Sequence, residues 1–244
     1  SAYLHSGGST EIDAKALHND NASIDAGADL HLTIPAITNE NDAYLGVGGT
    51  LTVDGGSLVN QNKAYVGAGQ DVIYSGQVVN NNNGSYIGAG RDAVFTAAVS
   101  FANSQKATLA VGNNLELKTQ VLTNAGESVI AAGGSAELLA EQSVSNTGGS
   151  QLEIQRRAAI TTGVLLNENS YLGIGGDAEI SAADELRNTD SSYLAVDGGA
   201  VITAGSFANS ANSSVFVTKN LELTSEGDFL NEDGLMAIGG SGVI

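Results

Sequence analysis

The stretch 43–60, AYLGVGGTLTVDGGSLVN, decides how the whole chain folds, because the rest of the sequence repeats it. Its closing residue, Asn60, follows an apolar residue two places earlier, Leu58. The same pair recurs as Leu17/Asn19, Ile37/Asn39, Val78/Asn80, Phe101/Asn103, Leu122/Asn124, Val144/Asn146, Leu165/Asn167, Leu186/Asn188, Phe207/Asn209 and Phe229/Asn231. Eleven copies follow one another, with successive asparagines 20 to 23 residues apart and most often 21. A fixed period of this size describes a solenoid in which each copy is one coil stacked on the last.

Within the copy, Leu45 and Val47 alternate with Tyr44, Gly46 and Gly48, and Leu51 and Val53 alternate with Thr52. Alternation broken by Gly-Gly and Asp-Gly reads as short half-buried strands joined by tight turns. No copy holds an apolar 3.6-residue period for two turns, so a helix is excluded. Three short strands per coil, each pairing with its equivalent one coil on, give an all-β parallel β-helix. At a strand spacing of ~4.8 Å, eleven coils make a rod roughly 50 to 55 Å long. The expected inward columns are Leu45, Val66, Ile87, Leu109, Ile130, Leu152, Leu172 and Leu194 on one strand. On a second they are Leu51, Val72, Leu115 and Leu221, with Ala93, Ala136, Ala158, Ala178 and Ala200 in matching coils. The column of Leu58 and Phe101 closes the third side.

Composition agrees with one unbroken rod over residues 1–244. Pro occurs once (Pro35) and Gly 32 times, so Gly, Asn and Asp make the turns. Nine Lys and Arg against 27 Asp and Glu give a net charge of −18. Such a surface repels nucleic acid and anionic lipid and favours solubility and divalent cations. No nucleic-acid partner is expected, and with no apolar run of membrane-spanning length, no membrane insertion either. Ser1 opens no signal-peptide pattern. The chain has no Cys and hence no thiol chemistry.

The first two coils, through Asn39, are the least regular and hold all three His and the Pro. Coils three to five are the cleanest. The fifth carries two extra residues before Asn103, and the seventh has Arg156-Arg157 where others have Gly-Gly or Gly-Asp. The chain begins in mid-repeat at SAYLHSGG and stops in mid-repeat at AIGGSGVI without polar caps. It therefore reads as a segment of a longer rod, uncapped at both ends.

Units such as VIAAGGSAELLAEQSVSNTGGS and YLGIGGDAEISAADELRNTDSS resemble filamentous haemagglutinin repeats. These build the β-helical shafts of two-partner-secretion exoproteins, a group of bacterial adhesins and contact-dependent growth-inhibition proteins. The resemblance covers essentially the whole chain through its Gly-Gly-x-Leu-x-Leu and apolar-x-Asn elements. It implies a right-handed β-helix and a secreted rod on the bacterial cell surface, served by an outer-membrane secretion partner through regions outside this segment. The family's secretion domain with its Asn-Pro motifs is not seen, since the one Pro follows Ile34.

The asparagine column reads as structural: identical amides one coil apart hydrogen-bond along the rod, and Asn suits a left-handed turn. Asp29, Asp71, Asp92 and Asp177 share one turn position with Thr50, Asn114, Ser135 and Asn220. Asp71 and Asp92 fall in successive coils and should repel unless a cation or Arg91 offsets them. Calcium needs six or more oxygens, and the Gly-Gly-x-Gly-x-Asp calcium repeat is missing, so these read as solvated turn residues. His5, His18 and His31 lie at different phases of the repeat, on different faces, which argues against a three-His metal centre. No metal ligands, cofactor or catalytic residues are assigned. Arg156-Arg157 stand without an obvious acid partner in matching coils, and nothing forms a nucleophile–base–orienter set.

The position before the first Leu column does suggest a binding surface. It is Tyr in Tyr3, Tyr44, Tyr65, Tyr86, Tyr171 and Tyr193. Tyr44, Tyr65 and Tyr86 occupy consecutive coils, and Gly46, Gly67 and Gly88 leave a strip without side chains beside them. Ile73 and Val94 stand outward nearby, where other coils carry Glu116, Glu137, Glu179 and Glu222. A flat aromatic row on an acidic rod suits a cell-surface receptor or a glycan. The competing reading is strand packing, in which stacked Tyr pairs stabilise neighbouring coils by ~0.2–1 kcal/mol each. Tyr171 and Tyr193, beside Gly173 and Ala195, form a shorter second row.

Two functions follow: a shaft and surface-interaction segment of an adhesin or inhibition exoprotein, or a polysaccharide-degrading or tailspike-like β-helix. An enzyme must break the repeat to build its groove, and this chain keeps its coils interchangeable. Leu109→Asp is expected to disrupt a middle coil, because a buried unpaired charge costs several kcal/mol. Thr52→Asp, on the outward face, should cost less than about 1 kcal/mol. Thermal melts of the two variants check the assignment, and equal losses would reverse the faces.

Overall fold

The computed structural model describes residues 2–244; Ser1, the first residue of the first coil, lies outside the described residues. Among the described residues there are strands and no helix. All the pairing is parallel and joins each strand to its equivalent one coil on, so the chain is a β-solenoid of about eleven turns. One sheet has twelve short strands such as Tyr44–Val47 and Tyr65–Ala68. The other has fifteen strands, twelve of them on its main path, and carries the rest of each coil.

The three short strands expected per coil are two in the middle of the rod. The second and third merge into single strands of eleven or twelve residues, such as Leu51–Gln61 and Ala93–Ser104. They separate only toward the ends, as in Thr10–Asp13 and Leu17–Asp20. Pairing continues round this corner, in constant register between Leu30–Glu40 and Leu51–Gln61 and with a bulge between Ala97 and Ser100 where the coil is longer. At the turns between the two sheets the strands end, yet backbone bonds still join successive coils, as Gly49 N–H to Ala28 C=O (2.9 Å) and Lys63 N–H to Asn83 C=O (3.0 Å).

The predicted inward columns are the core. Leu45, Val66, Ile87, Leu109, Ile130, Leu152, Leu172 and Leu194 stack in register and are buried, as are the Leu51 and Leu58 columns. A further inward column lies beside them: Val53, Tyr74, Phe95, Leu117 and Leu138. Tyr74 is fully buried, with its hydroxyl 2.8 Å from the Val78 carbonyl and 3.0 Å from the Gly56 carbonyl. Burial pushes its phenol above the ordinary tyrosine range. Phe95 meets Phe101 edge-to-face at 5.0 Å, and both rings are buried.

The asparagine column is a continuous ladder inside the rod. Nδ2 of Asn19 donates to Oδ1 of Asn39 (2.7 Å), Asn39 to Asn60 (2.9 Å), Asn60 to Asn81 (2.9 Å) and Asn81 to Asn103 (2.8 Å). The chain of bonds continues through Asn124, Asn146, Asn167, Asn188 and Asn209 to Asn231 at 2.8 to 2.9 Å. From Asn19 to Asn209 the second proton of each amide goes to a backbone carbonyl at the start of a first-sheet strand, as Asn39 does to Tyr65 (2.8 Å). Beside it runs a serine ladder that the apolar-x-Asn pattern does not reveal. Ser128 Oγ accepts the Ala107 amide proton (3.2 Å), Ser150 that of Ser128 (3.1 Å) and Ser170 that of Ser150 (3.2 Å).

Two expectations about this column are corrected. The member in the fourth coil is Asn81, preceded by Val79, and not Asn80 preceded by Val78. Asn80 faces outward opposite Val59 and accepts a bond from Asn82 (3.0 Å). The fifth coil therefore gains one residue at its bulge rather than two. Nor do the column asparagines make the turn: they sit in extended strands. The left-handed residues follow two positions later, as Asn41 (φ 57°) with Asp42 (φ 58°) and Asn62 (φ 58°) with Lys63 (φ 63°). Paired positive φ angles give a tight turn of the type I′ kind, closed in one coil by Ala43 N–H to Glu40 C=O (3.2 Å).

Adjacent asparagines give a direct test of the register. Asn81→Ala leaves a donor on Asn60 and acceptors on Asn103 and Thr108 unpaired inside the rod, and should cost ~2–4 kcal/mol. Asn80→Ala should cost less than about 1 kcal/mol. Urea denaturation of the two variants measures the difference.

Candidate functional site

The tyrosine row forms as expected, with a different relation to its glycines. Tyr44, Tyr65 and Tyr86 are in register, with ring centroids 5.0 and 5.3 Å apart and planes within 5° and 4° of parallel. Side chains in strands lean along the strand, and here each ring lies over the glycine two residues on. A Cβ on Gly46 would stand 2.2 Å from the Tyr44 hydroxyl, and one on Gly67 2.3 Å from that of Tyr65. The glycine strip is buried beneath the rings instead of bare beside them. Aromatic cover is what a strand glycine gains from such a neighbour. Tyr65 has both faces against other rings, and burial, then Tyr44 and Tyr86, push its phenol above the ordinary range.

The sequence pattern Tyr-x-Gly thus predicts a ring that lies down. Tyr44, Tyr86 and Tyr171, each with Gly at the second position, are 41%, 36% and 38% exposed. Tyr193, followed by Ala195, is 49% exposed, and Tyr3, followed by His5, is 67% exposed. These two stack on other partners: Tyr193 on Phe216 (6.2 Å, 10°) and Tyr3 on His5 (5.8 Å, 9°). The second platform is accordingly Tyr193 with Phe216, although Tyr171 and Tyr193 are in register. Phe216 escaped attention because it occupies a position that is Gly or Ala in most coils.

Ile73 and Val94 do not join the row. They stand in register with each other and with Thr52 and Glu116 on the second sheet, across the turn from the tyrosines. Ile73 is 40% exposed and Val94 half-buried. Their face continues into two shallow open grooves, one lined by Val94, Glu116, Glu137 and Arg157, the next by Arg157, Glu179 and Glu222. Arg157 has an acid partner in the adjacent coil, contrary to expectation: its Nη2 lies 2.7 Å from Glu179 Oε2.

The turn carboxylates bond to backbone. Oδ1 of Asp29 accepts the Thr50 amide proton (2.8 Å), Asp71 that of Asp92 (3.1 Å), Asp92 that of Asn114 (2.9 Å) and Asp177 that of Gly199 (2.9 Å). Asn114 does the same for Ser135 (3.0 Å). These residues close each turn onto the next coil, so they are not merely solvated. Arg91 grips Asp71 with Nε (3.1 Å) and Nη2 (2.5 Å), which holds that carboxyl below the usual range and offsets its repulsion from Asp92. The histidines are apart, as their phases imply. Each meets a carboxylate of another coil: His5 with Asp25 (2.8 Å), His18 with Glu40 (3.2 Å) and His31 with Asp54 (2.9 Å).

The ring-over-glycine contact is tested by a double-mutant cycle. Gly67→Ala should lift the Tyr65 ring and destabilise the parent, while costing less in a Tyr65→Ser background. A coupling of roughly 1 kcal/mol is expected from chemical denaturation. Coupling near zero would show that the ring does not rest on Gly67.

No protein-family model matches the chain, and no curated protein or solved structure gives a match. The filamentous haemagglutinin resemblance therefore rests on the repeat units themselves.

Proposed function

We propose that this chain is a length-setting shaft of a secreted, surface-displayed exoprotein of the adhesin or contact-dependent-inhibition kind. The observation that carries the reading is the unbroken amide ladder from Asn19 to Asn231, which makes each coil equivalent to its neighbours. A rod of equivalent coils supplies reach and stiffness, and its length scales with the number of coils. An enzyme on the same fold concentrates acids and bases in one cleft. Here the paired Arg157 and Glu179 border two shallow grooves that open along the rod.

A contact on this segment is favoured by one feature, the three-ring stack of Tyr44, Tyr65 and Tyr86. Its exposed rims offer apolar edge and hydroxyl together, which suits a receptor surface or a glycan. The partner would meet the tyrosines, with Ile73 and Val94 round the turn.

Excision of residues 61–81 removes one whole coil between two ladder asparagines. A shaft should keep a cooperative melt and shorten by about 4.8 Å in solution scattering. Loss of folding, or release of new chain ends from a polysaccharide panel by the parent, would overturn the reading. If the segment also binds, Tyr44→Ser/Tyr65→Ser/Tyr86→Ser should lose most adherence to target cells or glycan arrays, because rigid Tyr anchors carry a large share of binding energy. Unchanged adherence would leave the row as strand packing.

A further inference from the structure

His18, Asp20 and Glu40 bring one imidazole nitrogen and two carboxylate oxygens together, all within 4.8 Å of one another. The backbone dictates this meeting. His18 and Asp20 stand two residues apart on the outward face of Leu17–Asp20, and Glu40 pairs directly with Asp20 one coil on. His18 Nε2 is already 3.2 Å from Glu40 Oε1. Two ligands of a zinc ion, each at ~2.0–2.2 Å, lie about 3–3.5 Å apart. The His–Glu pair therefore has ligand spacing, and Asp20 places a third ligand atom within 4.8 Å of both.

The carboxylates are also anchored from outside the cluster. Gln61 Nε2 donates to Glu40 Oε2 (2.6 Å), which leaves Oε1 toward His18. Asn41 Nδ2 donates to Asp20 Oδ1 (2.8 Å) and occupies one oxygen of that group. Amides that tie down the outer oxygens of ligating carboxylates are the usual support of a metal site. His5 and His31, by contrast, each have a carboxylate partner without this third coordinating group.

We propose that His18, Asp20 and Glu40 form a binding site for a first-row divalent cation, zinc foremost, that clamps the first coil to the second. An imidazole with two carboxylates selects zinc and its neighbours over calcium, which takes oxygen ligands only. Water completes the coordination, since the site is open. The ion links residues of two coils that only the fold holds together, so it binds the folded chain and raises its stability.

Isothermal titration of the whole chain with zinc chloride tests this, with a folding check by circular dichroism on each variant. The expected result is saturable binding at one ion per chain and a rise in melting temperature with zinc. His18→Ala and Glu40→Gln should each weaken binding at least tenfold, while His5→Gln and His31→Gln bind like the parent. Excess calcium should not displace zinc. Three results would overturn the site: no saturation into the millimolar range, parental binding by His18→Ala, or an equal loss in His5→Gln.

Discussion

Each buried asparagine amide carries two donors and an oxygen that water cannot reach, and everything else in this rod is arranged to satisfy them. An identical amide at the same place one coil on supplies the acceptor for one proton. A backbone carbonyl at a fixed point after the turn takes the other. Both partners are in place only if the strands are parallel, the register is maintained and the coil returns after about 21 residues. A slip of one residue would turn the amide outward and an outward residue inward. Leaving the donor buried and unpaired would cost ~1–3 kcal/mol, so the ladder acts against misregister as well as for stacking.

The same constraint says where the coils can differ. Extra residues enter at the corner between the two halves of the long strands, where register shifts occur between Ala97 and Ser100 and between Ala140 and Ser143. Inward positions differ in volume from coil to coil, as Val72, Ala93 and Leu115 do at one register position. Charge is left to the outside. Arg91 with Asp71, Arg157 with Glu179 and Arg187 with Glu185 join carboxylates at exposed or half-exposed sites. Such pairs are worth ~0–1 kcal/mol each, so the acidic surface keeps the rod soluble while the core and ladders hold it together.

Most of this architecture is legible in the sequence because two periods coincide there: two residues for the strand and about 21 for the coil. The errors arise where one of them is degenerate. Val78-Val79 followed by Asn80 through Asn83 offers two frames, and the pairing of Leu58 with Val79 and of Asn60 with Asn81 shows which of them faces inward. The Tyr row is legible in the repeat, whereas the lean of each ring over its glycine depends on side-chain direction along the strand. The partnership of His18 with Glu40 is not legible in the sequence, because a cross-coil partner is visible only once the register is fixed. Merged strands were invisible for a similar reason: sequence alternation stops at a bulge, whereas backbone pairing does not.

What the outward columns can do is limited by the ladder beneath them. Because neighbouring coils are a strand spacing apart, like side chains at one position stack face to face, as Tyr44, Tyr65 and Tyr86 do. Stacking withdraws ring faces from solvent and leaves edges and hydroxyls at intervals of about 5 Å along the rod. A partner that needs an open ring face would find it at the ends of the row, on Tyr44 and Tyr86. One that reads a line of hydroxyls and edges would find it along the whole row, Tyr65 included. Variation among the tyrosines follows the residue two places on: glycine lets a ring lie down, and Ala195 or His5 makes it stand and seek another aromatic. The shape of this surface is therefore set at the glycine positions as much as at the tyrosines.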